Sequence, residues 1–159
     1  MSPPSTAPGT ATYKVIVVGT DGSDRASIAV GEALALAKMS GATLHAVHVV
    51  DPTVKTGFVD TPAAPFEFEV AGDRERAEDT RRQLLTEAQR QGVSVEIHSP
   101  GNTDVSDALI SIAEAVDADL IVVGNQGMSG VKRFVLGSVP NKVAHRCPCS
   151  VLIVNTDSP

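Results

Sequence analysis

The sequence predicts a doubly wound α/β domain: a five-stranded parallel sheet of strand order 3-2-1-4-5, with helices on both faces. Three observations point there. Short apolar runs such as Val15-Ile16-Val17-Val18, Leu120-Ile121-Val122-Val123 and Val151-Leu152-Ile153-Val154 show no polar alternation, as suits strands covered on both sides. These runs alternate with longer segments of helical periodicity, the pattern of parallel sheets. The chain has 159 residues, 42% hydrophobic and 3% aromatic, so it is one domain with a core of Val, Ile, Leu and Ala.

The elements follow in order. Lys14–Gly19 is the first strand, and Thr20-Asp21-Gly22-Ser23-Asp24 supplies a turn and a helix cap. A helix runs from about Asp24 to Met39, burying Ile28, Ala29, Ala33, Leu36 and Ala37, and Ser40-Gly41 ends it. Thr43–Val50 is the second strand, stopped by Asp51-Pro52. Periodicity is lost in an irregular acidic insert, 53–72. A charged helix spans Asp73–Gln91, with Gly92 opening a third strand over Val93–His98. Thr103 or Asp104 caps a helix with Val105, Leu109, Ile112 and Val116 at helical spacing. Leu120–Val123 is the fourth strand; a glycine-rich loop leads to a helix ending near Arg146, and Ser150–Val154 is the fifth strand.

The domain spans 13–156. Residues 1–12, mostly Ser, Pro, Thr, Ala and Gly, read as a disordered tail without the marks of a secretory signal. A net charge of −6 argues against general nucleic-acid binding and against an anionic membrane surface. No apolar run reaches the roughly 18–20 residues of a membrane span. Cys147 and Cys149 are too few for a disulfide framework, and the expected compartment is the cytoplasm.

Both candidate sites, Gly19–Ser23 and Gly124–Ser138, sit at carboxyl ends of strands, where such folds bind ligands. The second is a phosphate-loop candidate, with bare glycine backbone ahead of a helix start. It lacks G-x-x-x-x-G-K-[ST], and no G-x-G-x-x-G follows the first strand, which excludes the common NTPase and dinucleotide motifs. The spacing is Gly124-x-x-Gly127, nine residues, then Gly137-Ser138.

That spacing resembles the nucleotide-binding signature of the universal stress proteins, in their ATP-binding branch. The resemblance covers Tyr13 to Asn155. It includes Val17-Val18-Gly19-Thr20-Asp21-Gly22-Ser23, His48-Val49-Val50 and the closing run Val143–Val154. It implies an ATP-binding regulatory module of the stress response, acting as a homodimer through the C-terminal strand 150–155, with Mg2+ arriving on the phosphates. It places Asp21 near the adenosine, with Gly19 and Thr20 admitting the ligand to the backbone and Val49 beside the adenine. Gly124, Asn125, Gln126, Gly127, Met128, Ser129 and Gly130 form the loop under ribose and phosphates. Gly137, Ser138 and Val139 face the outer phosphates.

Lys132 and Arg133 are an adjacent basic pair in that loop, although the family signature does not require cations there. Asp21 is also readable as an Asx-turn residue. His145, Cys147 and Cys149 match no common zinc spacing, His45 and His98 have no motif around them, and His48 reads as a strand residue. No separate metal site and no catalytic residue are expected. Hydrolysis needs a group to position water and charge to stabilise the phosphoryl, and none is identifiable, so binding is favoured over turnover. A slow ATPase and a cyclic-AMP binder are the alternatives.

Overall fold

The computed structural model describes residues 12–49, 66–101, 103–126 and 136–157. The elements are β1 (Val15–Thr20), α1 (Asp24–Ser40), β2 (Thr43–His48), α2 (Phe66–Gln91), β3 (Val95–His98), α3 (Val105–Ala115), β4 (Leu120–Gly124), α4 (Ser138–Arg146) and β5 (Ser150–Val154). The strands form one sheet in the order β3-β2-β1-β4-β5, with every pairing parallel. The expected fold class and strand order are those observed.

Successive strand side chains point to opposite faces, so the inner strands β1, β2 and β4 feed two cores. Ile16, Val18, Leu44, Ala46, Leu120 and Val122 pack under Ala29, Ala33, Leu34 and Ala37 of α1 and Leu84 and Ala88 of α2. Val17, Val47, Ile121 and Val123 pack under Ala108, Leu109 and Ala113 of α3 and Val143 of α4. Burying each Val, Ile or Leu stabilises the fold by about 1.5–3 kcal/mol. Opposite the candidate site, the Asp119 carboxylate accepts the backbone N–H groups of Lys14 at 2.7 Å and Val15 at 2.9 Å. That bond pair holds the start of β1 to the approach of β4.

Helix ends follow their local chemistry. The Ser23 hydroxyl accepts from Ala26 N at 3.1 Å to start α1, and Gly41 ends it at φ 72°. Asp104, one of the two predicted caps, accepts from Ser106 N at 3.0 Å and Asp107 N at 3.2 Å.

Most boundaries fall within one residue of expectation, and the larger differences are at the start of α2, the start of β3 and the end of β2. Helix α2 begins at Phe66, inside the span expected to be irregular. In the sequence Pro65 immediately precedes it, a residue tolerated at a helix start. The rest of that insert lies outside the described residues. β3 starts at Val95 because Gly92 (φ 71°) and Val93, whose N–H reaches Ala88 O at 2.9 Å, still belong to the end of α2. β2 ends at His48. The expected tail 1–12 lies outside the described residues except for Thr12.

Candidate nucleotide site

β1 lies between β2 and β4, so the winding reverses between β1 and β4, and the candidate residues gather beyond the carboxyl ends of these strands. After β1 the chain turns tightly. Asp21 Oδ1 accepts from Ser23 N at 2.9 Å and Thr20 Oγ1 accepts from Gly22 N at 3.2 Å. This is the Asx turn considered for Asp21, and it leaves Oδ2 without a hydrogen-bond partner among the described residues. Gly22 sits at φ +78°, where a Cβ would lie 3.0 Å from Thr80 Oγ1 of α2. A Cβ on Gly19 would lie 3.1 Å from Leu109 Cδ1, so its bare Cα seats α3 against the sheet.

His48 pairs in register with Thr20 and stands under the same turn, its Nε2 3.7 Å from where a Gly22 Cβ would be. Burial pulls its imidazole below the usual 6.5, and the nearby Asp21 carboxylate opposes that shift. Val49 is 3% exposed and packs in the α3-side core.

At the end of β4, Asn125 organises the loop. Its N–H donates to Val154 O at 2.8 Å, and its Oδ1 accepts from Thr156 N at 2.9 Å and Thr156 Oγ1 at 2.8 Å. A Cβ on Gly124 would sit 3.0 Å from Thr156 Cγ2, tighter than an ordinary contact. Gly137 donates its N–H to Asn125 O at 2.9 Å, joining the two ends of the glycine loop at a neck. A Cβ on Gly137 would sit 3.2 Å from that same carbonyl oxygen. Gly127, Met128, Ser129, Gly130, Lys132 and Arg133 lie outside the described residues.

Helix α4 opens from Gly137 without a side-chain cap and without an acid in its first turn. Its first backbone N–H groups, Ser138 and Val139, therefore have no helical acceptor, the condition that favours an anion. The helix is tied to α3 by Lys142 Nζ to Asp104 Oδ2 at 3.0 Å and Arg146 Nη1 to Asp107 Oδ1 at 2.6 Å. Such exposed pairs orient more than they stabilise.

Two groups near the site were not anticipated. Arg25 Nη1 donates to Gln126 Oε1 at 3.2 Å, bringing a guanidinium from α1 to the end of β4. A cation in the first turn of a helix opposes its dipole, and that was the available sequence signal. His48 is the other; it reads as a strand residue in the sequence, within the His48-Val49-Val50 segment that carries the resemblance. A cleft of about 300 Å³ opens beside the β1 turn, lined by Thr20, Gly22, Ser23, Leu34, Thr80 and Glu87 among others. It faces α2, and neither Gly124 nor Ser138 is in its wall.

The cysteines stand 3.2 Å apart at sulfur and are free thiols. Burial, and then the hydrogen bond with Cys147, push the Cys149 thiol upward, which makes it a poor nucleophile. On β2 and β3, by contrast, His45, Glu96 and His98 come together, with ligand-capable atoms all within 4.8 Å.

The sheet, its switch point and the connections between strands and helices define a doubly wound α/β domain. The chain belongs to the universal stress protein family, whose sequence profile matches residues 12–155. A universal stress protein of Methanocaldococcus jannaschii is 33% identical over 144 residues, covering 89% of this chain and 82% of that protein. A crystal structure of a universal stress protein in complex with cAMP is 32% identical, with TM-score 0.68, covering 92% of this chain and 100% of that one. The universal stress protein from Archaeoglobus fulgidus in complex with dAMP is 25% identical, with TM-score 0.62, covering 91% and 99%. Among the described residues, no helix is long and apolar enough to cross a membrane.

Proposed function

We propose that this universal stress protein binds ATP at the β1–β4 switch point and acts as a nucleotide-dependent regulatory module in the cytoplasm. The observation that carries the reading is the neck between Asn125 and Gly137. It sets the uncapped start of α4 at one end of the loop and the Arg25–Gln126 contact at the other. In this reading Ser138 and Val139 N–H and the Ser138 hydroxyl meet the outer phosphates, with Gly127, Met128, Ser129 and Gly130 beneath them. Thr20 and Asp21 Oδ2 meet the ribose side. Mg2+ enters with the phosphates and takes oxygen ligands from them.

Cyclic AMP is the second reading, favoured by the cAMP complex of a relative at 32% identity. Binding remains favoured over turnover, with slow ATP hydrolysis the enzymatic alternative. Strand β5 is an edge strand with Val151, Leu152 and Ile153 partly buried, which supports a homodimer through 150–155.

Calorimetric titration of the full chain with ATP, with and without Mg2+, and with cyclic AMP tests this reading. Saturable ATP binding that weakens at least tenfold in Ser138→Ala supports it. Absence of binding to either nucleotide overturns it, and cyclic AMP binding alone selects the second reading. Sedimentation velocity tests the dimer.

A further inference from the structure

The parallel pairing of β2 with β3 sets His45 opposite Glu96, and His98 lies two residues further along the same face of β3. The three side chains therefore share one face at the edge of the sheet, on the side where Val47 enters the α3 core. His45 Nδ1 is 2.9 Å from His98 Nε2 and 3.6 Å from Glu96 Oε2. The two imidazoles stack with centroids 5.2 Å apart. His45 is 6% exposed, whereas the Glu96 side chain is 65% exposed, so the cluster has a buried base and an open mouth.

We propose that His45, His98 and Glu96 form a binding site for a divalent cation of the zinc class. Two imidazole nitrogens and one carboxylate oxygen are a donor set that suits zinc. Ligand atoms at about 2.0–2.1 Å from a tetrahedral ion lie about 3.3–3.4 Å apart. The observed separations of 2.9 and 3.6 Å bracket that value, so small side-chain adjustments admit the ion. Without metal, the two histidines share a proton across their hydrogen bond; the cation replaces that proton and leaves a fourth position to water on the exposed side. Bound there, the ion clamps edge strand β3 to β2. None of the three residues belongs to the proposed nucleotide site, so the inference stands apart from that reading.

The test uses the tag-free full chain, cleared with EDTA and without added nucleotide. Zn2+ is titrated calorimetrically, and Co2+ is followed by its visible d–d absorption. One equivalent of Zn2+ is expected, with affinity reduced at least tenfold in His98→Ala and in Glu96→Gln and unchanged in the Cys147→Ser/Cys149→Ser double variant. Circular dichroism confirms that each variant is folded. His98→Ala and Glu96→Gln are used because both residues lie at the sheet edge, whereas His45 is in the interior. A rise in Tm with Zn2+, absent in His98→Ala, follows from the same linkage. The absence of saturable Zn2+ binding by the wild type overturns the proposal. Binding that persists undiminished in His98→Ala, or that vanishes in the cysteine variant, also overturns it.

Discussion

Asn125 Oδ1 accepts two hydrogen bonds from Thr156, at 2.9 Å from its N–H and 2.8 Å from its hydroxyl. Thr156 is 1% exposed, so this latch fixes the end of β4 to the chain leaving β5. The neck to Gly137 hangs from the same residue. Asn125, which the family resemblance puts in the loop under ribose and phosphates, is therefore also a structural anchor of the candidate site.

Asn125→Ala leaves a buried hydroxyl and a buried N–H without their acceptor, which costs about 1–3 kcal/mol for each such group. Urea unfolding is expected to show a loss of about 2 kcal/mol, and nucleotide affinity is expected to fall with it. An unchanged midpoint would show that the latch contributes nothing.

Gly22→Ala places a Cβ at φ +78° and 3.0 Å from Thr80 Oγ1, which itself bonds Arg76 O at 2.9 Å. The left-handed backbone alone costs about 1–2 kcal/mol. Gly41, at φ +72°, has nothing within 4 Å of a built Cβ. Paired urea melts should therefore find Gly22→Ala more destabilised than Gly41→Ala, with the excess shrinking in a Thr80→Ala background.

Arg25→Ala removes the guanidinium from beside Gln126 while relieving a cation at a helix start. Affinity for ATP should drop by roughly tenfold, a charge-assisted contact of about 1.5 kcal/mol, and affinity for adenosine should change little. Equal losses for both ligands would place Arg25 away from the phosphates.

His48 links stability to pH. Its folded value lies below the unfolded 6.5 because burial disfavours the charged ring, with Asp21 opposing. Between those two values the unfolded chain binds more protons, so stability is full above about pH 6.5 and falls as pH drops toward the folded value. Burial acts on His45 in the same direction. Urea unfolding at pH 7.5 and 5.5 should show the loss, and His48→Asn should reduce it; a slope that is the same in both proteins would count against His48.

The strands were legible because a doubly covered strand is an uninterrupted β-branched run, as in Val15–Val18 and Leu120–Val123. The Asp104 cap was legible because it meets a local backbone demand; Gly124 and Gly137 were legible only by their spacing, and the groups beside them, Thr156 and Asn125 O, come from packing. The start of α2 was hidden by a prolines-and-acids composition that reads as loop. Arg25 beside Gln126, and His45 opposite Glu96, depend on strand order and register between segments distant in sequence. Local pattern alone does not supply those. Gly19 was read as making room for ligand, yet the group pressed against it is Leu109, a partner that only the packing of α3 discloses.

The central claim, an adenine-nucleotide site at the β1–β4 switch point, is tested most directly by denaturing the purified full chain and identifying what it releases. The account predicts adenine nucleotide in near-stoichiometric amount, or stoichiometric uptake when the protein is incubated with ATP beforehand. A protein that releases none and takes up neither ATP nor cyclic AMP would contradict it.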